Sequence, residues 1–459
     1  MTMTSAAMLQ ATLALLEQIT PFRSVSGQIE QQRALAQWLE TWLVQEIGAR
    51  QVSPVAQQQR QSAPPLVHVR LERGAHKTLV LYNMYDVMPA DEDGWEVPPF
   101  IGGVRRWPEL GDVYISRGAE NNKGPLAGML TVVKTLRDSG NLTVNLEIIL
   151  EGEEEIGSGR LRRYLAQTPC PIAPADAVLF PSLCEYGGGQ PRVYLGFTGL
   201  SNGRLTVKGG DWGGPQAAIH ASNASWIANP AWRLVQALHA IAPPENNGVL
   251  AAIKPDDEAN KLLAELADNF SIDDELRFRR SRRLTLTGDT LSCLQTFIGS
   301  AVLNLSELKT APTGARGVIP PFAEAELAFR TPPGIDGAQL IDAAYARLAA
   351  PALAGAELTL DDSYPGYRFT LDAPGVRQLL ASYRRLGAQP QIWPWAPGCA
   401  PAYAFAPIAP AFLIGGLGHG GNAHGVNEFV TLRGLQRFIE SLTDWLTRFT
   451  ESAESQPLT

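Results

Sequence analysis

Apolar residues recur at helical spacing from the start of the chain. Leu9, Leu13, Leu16 and Ile19 fall on one stripe, which predicts an opening amphipathic helix. Further helices are predicted over Ile29 to Glu46 and over Pro125 to Ser139. Short continuous apolar runs at Lys77 to Tyr82, Leu142 to Leu150, Ala177 to Phe180 and Ala411 to Ile414 predict buried strands. Strands that alternate with helices predict a mainly parallel sheet covered by helices. Each run ends in a polar cluster: Asn83-Met84-Tyr85-Asp86, Glu151 to Glu155, Pro181 to Cys184, and Gly415 to His424. Ligands of open α/β sheets bind beyond the carboxyl ends of the strands, so these clusters are expected to converge on one pocket.

The middle of the chain has a different pattern. Leu205 to Lys208, a helix over Pro230 to Ile241 and an alternating strand over Ala323 to Arg330 predict an inserted α+β unit. The expected organisation is a two-domain α/β protein. A catalytic domain over residues 1–199 and 364–459 is interrupted by a second domain over residues 200–363. The tail from Glu451 to Thr459 is expected to fray.

Composition narrows the function classes. A chain of 459 residues, 45% hydrophobic and 18% charged, is an ordinary globular protein with a large core. A net charge of −8 without a basic stripe argues against nucleic acid as a partner. The four cysteines, Cys170, Cys184, Cys293 and Cys399, lack paired metal spacing and point to a reducing compartment. Neither a signal-peptide pattern nor a membrane-spanning run is visible, so the expected location is the cytoplasm, with no membrane partner.

The strongest local signal is the acidic run Glu151-Gly152-Glu153-Glu154-Glu155. Most acidic runs are solvated faces. This one follows a buried strand, where adjacent carboxylates can divide labour between metal ligation and proton transfer.

Several motifs in order carry a resemblance. They are Tyr85-Asp86-Val87-Met88-Pro89 with Trp95 and Pro99-Phe100, Arg117 to Gly124, Glu154-Glu155-Ile156-Gly157-Ser158, and His220-Ala221-Ser222 with Asn229-Pro230. Val318-Ile319-Pro320 with Ala328-Phe329-Arg330, and His424 with Asn427-Glu428, complete the series. Together they resemble the di-zinc amidohydrolase and metallopeptidase family of aminoacylase, carnosinase, succinyl-diaminopimelate desuccinylase and glutamate carboxypeptidase. The resemblance covers nearly the whole chain. It implies a zinc-exopeptidase-like catalytic domain interrupted by a lid and dimerisation domain, hence a homodimer. It gives Glu154 the role of general base and Asp86 that of orienting a metal ligand. It also implies that His220 steadies an oxyanion from the partner subunit and that Arg330 clamps a substrate carboxylate. Asn229, Gly415 and Gly416 fall at substrate-binding positions.

The metal ligands carry over only in part. Glu155 and His424 match, but the other ligand positions hold Met84, Asn121 and, if the spacing is ungapped, Ser182. A neutral amide cannot neutralise two dications as a bridging carboxylate does, and a thioether is a soft ligand that suits zinc poorly. The expectation is therefore an enzyme without a metal cofactor. It would act at an acyl or amide centre of an amino-acid-like or peptide-like substrate by acyl transfer, condensation, cyclisation or hydrolysis, with Glu154 as acid/base. Two alternatives stay open at this point: a zinc-dependent dipeptidase or N-acyl-amino-acid deacylase with substitute ligands, and a non-catalytic dimer that binds amino-acid-like ligands. Cys184 and Cys399 read more simply as small apolar residues than as nucleophiles.

Overall fold

The computed structural model describes residues 3–58, 63–91, 93–314 and 316–451. Most of the tail expected to fray lies outside the described residues. The chain forms two compact units, one of residues 1–195, 369–393 and 404–459, the other of residues 196–368 and 394–403. The segment 394–403, expected in the catalytic part, groups with the second unit because its strand Ala396–Cys399 pairs in parallel with Phe197 and Thr198.

The first unit is built on a six-stranded sheet in the order Arg50–Ser53, Val67–Leu71, Asn145–Glu151, Thr78–Met84, Ala177–Pro181, Phe412–Gly415. The last four strands are mutually parallel and the first two are antiparallel. The parallel strands are nearly continuous apolar runs and are buried along most of their length. The helices Ser5–Ile19, Lys123–Asp138 and Leu432–Arg448 pack on one another. Gly128 permits one close approach among them: a Cβ there would lie 2.7 Å from the ring of Phe438.

A smaller antiparallel sheet escaped the sequence pattern. It pairs Gly420–Gly421, Phe429–Thr431, Gly111–Ile115 and Gly103–Trp107. Its strands are short, and Arg105 and Arg106 in one of them are exposed, so no apolar run announces it. This sheet fixes the segment that carries His424 and Glu428.

The second unit has an antiparallel sheet in the order Val249–Ala252, Ser300–Ala311, Phe322–Thr331, Gly196–Lys208, Ala356–Tyr364. The helices Pro230–Ile241 and Gly337–Leu348 pack against it around Leu205, Val207, Leu234, Ile241, Phe329 and Leu348. Asn229 caps the first of these helices, its Oδ1 accepting from Ala231 N at 2.9 Å, with Pro230 opening the first turn. Leu234 and Ile241 of this helix enter the core, whereas Val235 is half exposed and Trp232 is 69% exposed. Among the described residues no helix is long and apolar enough to cross a membrane.

Candidate active site

The parallel strands of the first unit bring the four polar clusters to one end of the sheet. Tyr85 N donates to Glu151 O at 2.8 Å, and Ser182 N donates to Gly415 O at 3.1 Å. Asn83 Nδ2 reaches Pro181 O at 3.2 Å.

Past the strand Asn145–Glu151 the chain turns tightly through Glu154–Ile156 and leaves at Gly157, whose φ of 101° favours glycine. Asp86 holds this turn. It is fully buried and accepts from Ser26 Oγ at 2.8 Å, Glu154 N at 3.3 Å and Glu155 N at 3.2 Å. Burial pushes its carboxyl up to about 7, helped by the charge of Glu155 and opposed by the Ser26 hydroxyl. Enclosure also raises Glu154 well above the usual carboxylate range, and Glu155, Asp86 and Glu151 add to the effect.

Glu155 faces two partners. Asn121 Nδ2 donates to its Oε1 at 3.0 Å, and His424 Nε2 stands 3.1 Å from Oε1 and 3.0 Å from Oε2. Asn121 Nδ2 lies 3.2 Å from His424 Nε2, which closes the triangle. The hydrogen bond to Glu155 raises the proton affinity of His424. His424 adopts a φ of 62°, uncommon for a side chain other than glycine, asparagine or aspartate.

The remaining ligand positions are turned to other uses. Met84 is completely buried at the end of its strand. Ser182 Oγ donates to Asn122 Oδ1 at 3.2 Å, while Asn122 Nδ2 binds Asn83 Oδ1 at 2.8 Å and Pro181 O at 2.9 Å. The carbonyl of Gly416 accepts from Cys184 N at 2.9 Å, and its N–H donates to the Tyr383 hydroxyl at 2.6 Å. Gly416 sits at φ 146°, and a Cβ there would lie 2.4 Å from Phe438. The backbones of Gly415 and Gly416 are thus engaged within the unit. Cys184 is buried, and burial pushes its thiol up to about 12, which suits an inert residue.

Glu428 organises the loop beneath Asn121, a role the sequence reading did not give it. Its carboxylate accepts from Arg117 Nη1 at 2.7 Å and from the backbone N–H groups of Gly118, Glu120 and Asn121 at 2.8, 3.0 and 2.8 Å. Glu120 was missed as well. Burial lifts its carboxyl to about 8, and the charge of Glu428 adds to the rise. Its place beside Asn121, in the run Ala119-Glu120-Asn121-Asn122, was the available signal.

Glu151, beside these groups, provides a pH test of stability. It is buried, takes a hydrogen bond from the Tyr82 hydroxyl, and is pushed up to about 8 by burial. The folded chain therefore holds this proton more tightly than the unfolded chain. Glu151 favours folding below the ordinary carboxylate range, and that contribution is lost as pH rises through about 8. Glu151→Gln should lessen the fall in Tm between about pH 5 and pH 8 relative to the parent. Parallel melting profiles for the two proteins would refute it.

The residues expected from the second unit have their own settings. His220 is exposed, its Nδ1 2.8 Å from Ser222 Oγ, and its strand pairs with Val318 and Ile319. Arg330 is half-buried; its Nη1 donates to Pro397 O at 3.2 Å and lies 3.4 Å from Cys399 Sγ.

Residues 80–448 match the model of peptidase family M20/M25/M40, well over half of the chain. The chain belongs to this family. Among curated relatives, the Cys-Gly metallodipeptidase DUG1 of Candida albicans is 26% identical over 313 residues, covering 66% of this chain and 62% of the relative. The human Beta-Ala-His dipeptidase is 34% identical over 105 residues, covering 22% of this chain and 20% of the relative. The matched segments thus span less than two thirds of these relatives' own lengths. The M20 family metallo-carboxypeptidase Sso-CP2 of Sulfolobus solfataricus superposes with a TM-score of 0.82 at 22% identity, covering 95% of this chain and 99% of that one. This likeness supports the two-domain α/β fold read from the sequence.

The family corrects the expectation about cofactors. Membership among peptidases whose relatives are named metallodipeptidases points to a metal cofactor, zinc, and overturns the reading of a chain that works without one. The error came from treating the lost ligands Met84, Asn121 and Ser182 as the loss of the whole centre. The donor set itself is reduced. Among the described residues, no group of three or more His, Cys, Asp or Glu side chains is placed to hold a metal ion. Only one carboxylate, Glu155, remains in the triangle to balance cationic charge, so the set does not fit two dications.

Proposed function

We propose that this protein is a hydrolase that cleaves the amide bond of a dipeptide or a similarly small N-acyl amino acid. The observation that carries the reading is the gathering of Asp86, Glu154, Glu155 and His424 at the carboxyl ends of parallel strands. Bound zinc would supply Lewis-acid polarisation of the scissile carbonyl, with Glu155 and His424 as the residues that hold it. Glu154 takes a proton from the attacking water and returns it to the leaving amine. Asp86 acts as a positioning residue, because its carboxylate fixes the backbone of Glu154 and Glu155.

Arg330 offers a guanidinium fork to the substrate carboxylate. His220, exposed and hydrogen-bonded to Ser222, is the donor for the oxyanion, and Asn229 holds the start of the helix that follows. A homodimer is part of the proposal. Trp232 and Val235 on one helix, and Leu305 and Leu308 on the strand Ser300–Ala311, are exposed apolar residues that a second copy could cover. Light scattering on the purified chain should give twice the monomer mass, and a monomer would remove the dimer from the reading.

The test of function is a panel of dipeptides and N-acyl amino acids, assayed after zinc loading for release of the free amino acid by chromatography. Turnover of at least one small substrate is expected. A folded, zinc-loaded protein that releases nothing across the panel would sink the hydrolase reading.

A further inference from the structure

The triangle of Asn121, Glu155 and His424 has the dimensions of a ligand set. Its edges are 3.0 Å from Asn121 to Glu155, 3.2 Å from Asn121 to His424, and 3.0–3.1 Å from His424 to Glu155. Ligands about 2.0 Å from a tetrahedral ion stand about 3.3 Å apart, so the three side chains are already spaced for one ion. The one mismatch is chemical: the vertex at Asn121 is an amide nitrogen, which donates a proton and cannot ligate. A half-turn of the amide exchanges Nδ2 for Oδ1 at nearly the same place and presents a neutral oxygen ligand.

The charge count then decides how many ions fit. One carboxylate, one amide oxygen and one imidazole offset a single divalent ion in part. Two divalent ions side by side would need a bridging anion, and no anionic side chain occupies that vertex. Met84 and Ser182 offer no replacement, the first buried as an apolar residue and the second bonded to Asn122. We infer that the centre holds a single divalent ion, not two, on Glu155, His424 and the carbonyl oxygen of Asn121. The inference deepens the hydrolase reading and rests on it for its biological sense, but its test does not depend on turnover.

The probe is zinc alone. The purified chain is dialysed against buffered zinc, its metal content is measured by mass spectrometry, and its melting is followed with and without a chelator. One zinc per chain is expected, with a higher Tm in zinc than in chelator. Asn121→Leu fills the same space without a ligand and should weaken zinc binding at least about tenfold while its circular dichroism stays that of the parent. Asn121→Asp supplies an anionic oxygen at the vertex and should tighten binding by a comparable factor. Two zinc ions per chain, or none, would overturn the inference. So would a folded Asn121→Leu variant that binds zinc as tightly as the parent, because Asn121 would then not be a ligand. Failure of the hydrolase reading would show differently, as a chain that holds one zinc and cleaves nothing.

Discussion

Glu154→Gln should lower kcat by about three orders of magnitude on any substrate the chain hydrolyses, within the range that a positioned acid/base contributes. The substitution is nearly isosteric. It leaves the backbone N–H of Glu154 bonded to Asp86, and Glu155, bonded to Asn121 and His424, is untouched. The turn keeps its shape, and the variant loses only a group that can accept a proton. KM should therefore change little, because uniform binding is preserved. Metal content and Tm should match the parent, which separates lost chemistry from lost structure. A variant that retains more than about a tenth of the parental kcat would remove Glu154 from the mechanism.

Glu428→Ala should be the most destabilising single change in the site. Glu428 is fully buried, and Arg117, which it pairs with, is only 3% exposed. Truncation strands the guanidinium, leaving it Pro89 O at 3.0 Å and the face of Trp95 at 5.3 Å. It also leaves the N–H groups of Gly118, Glu120 and Asn121 without their acceptor. Breaking a buried ion pair from one side costs about 3–5 kcal/mol. Differential scanning calorimetry should show the transition of the first unit moved down by several degrees. Activity should fall too, since the loop that presents Asn121 is released. Glu428→Gln keeps acceptor capacity and should recover part of the loss. An unchanged transition in Glu428→Ala would mean that water replaces the carboxylate at little cost.

The sequence made the frame of the first unit legible because parallel strands must be apolar along their length. Thr78–Met84 and Ala177–Pro181 stand out for that reason, and the polar residues that follow them are where the site lies. The small antiparallel sheet was illegible because Gly103–Trp107 and Gly420–Gly421 are short and bury little, so neither makes an apolar run. Asp86, Glu154 and Glu155 were legible from motif and position, and the structure places them together. Glu428 and Glu120 were not, because what they do depends on which backbone N–H groups and charges surround them. The metal reading failed at the same level. Substituted ligand positions were visible in the sequence, but the closeness of Asn121, Glu155 and His424 was not.

The strand order of the first unit has a consequence for how the protein is made. Its sixth strand, Phe412–Gly415, pairs with Ala177–Pro181 across more than two hundred intervening residues, and His424 and Glu428 come later still. A ribosome delivers the other five strands long before that partner emerges. Until then the buried, apolar strand Ala177–Pro181 is an open edge with unsatisfied backbone groups, a template for pairing with other nascent chains. Closing so long a loop also makes this contact slow to form. Chains cut short before residue 412 would therefore carry the acidic turn without its histidine and would be prone to aggregate, so synthesis and quality control bear most heavily on roughly the final tenth of the sequence.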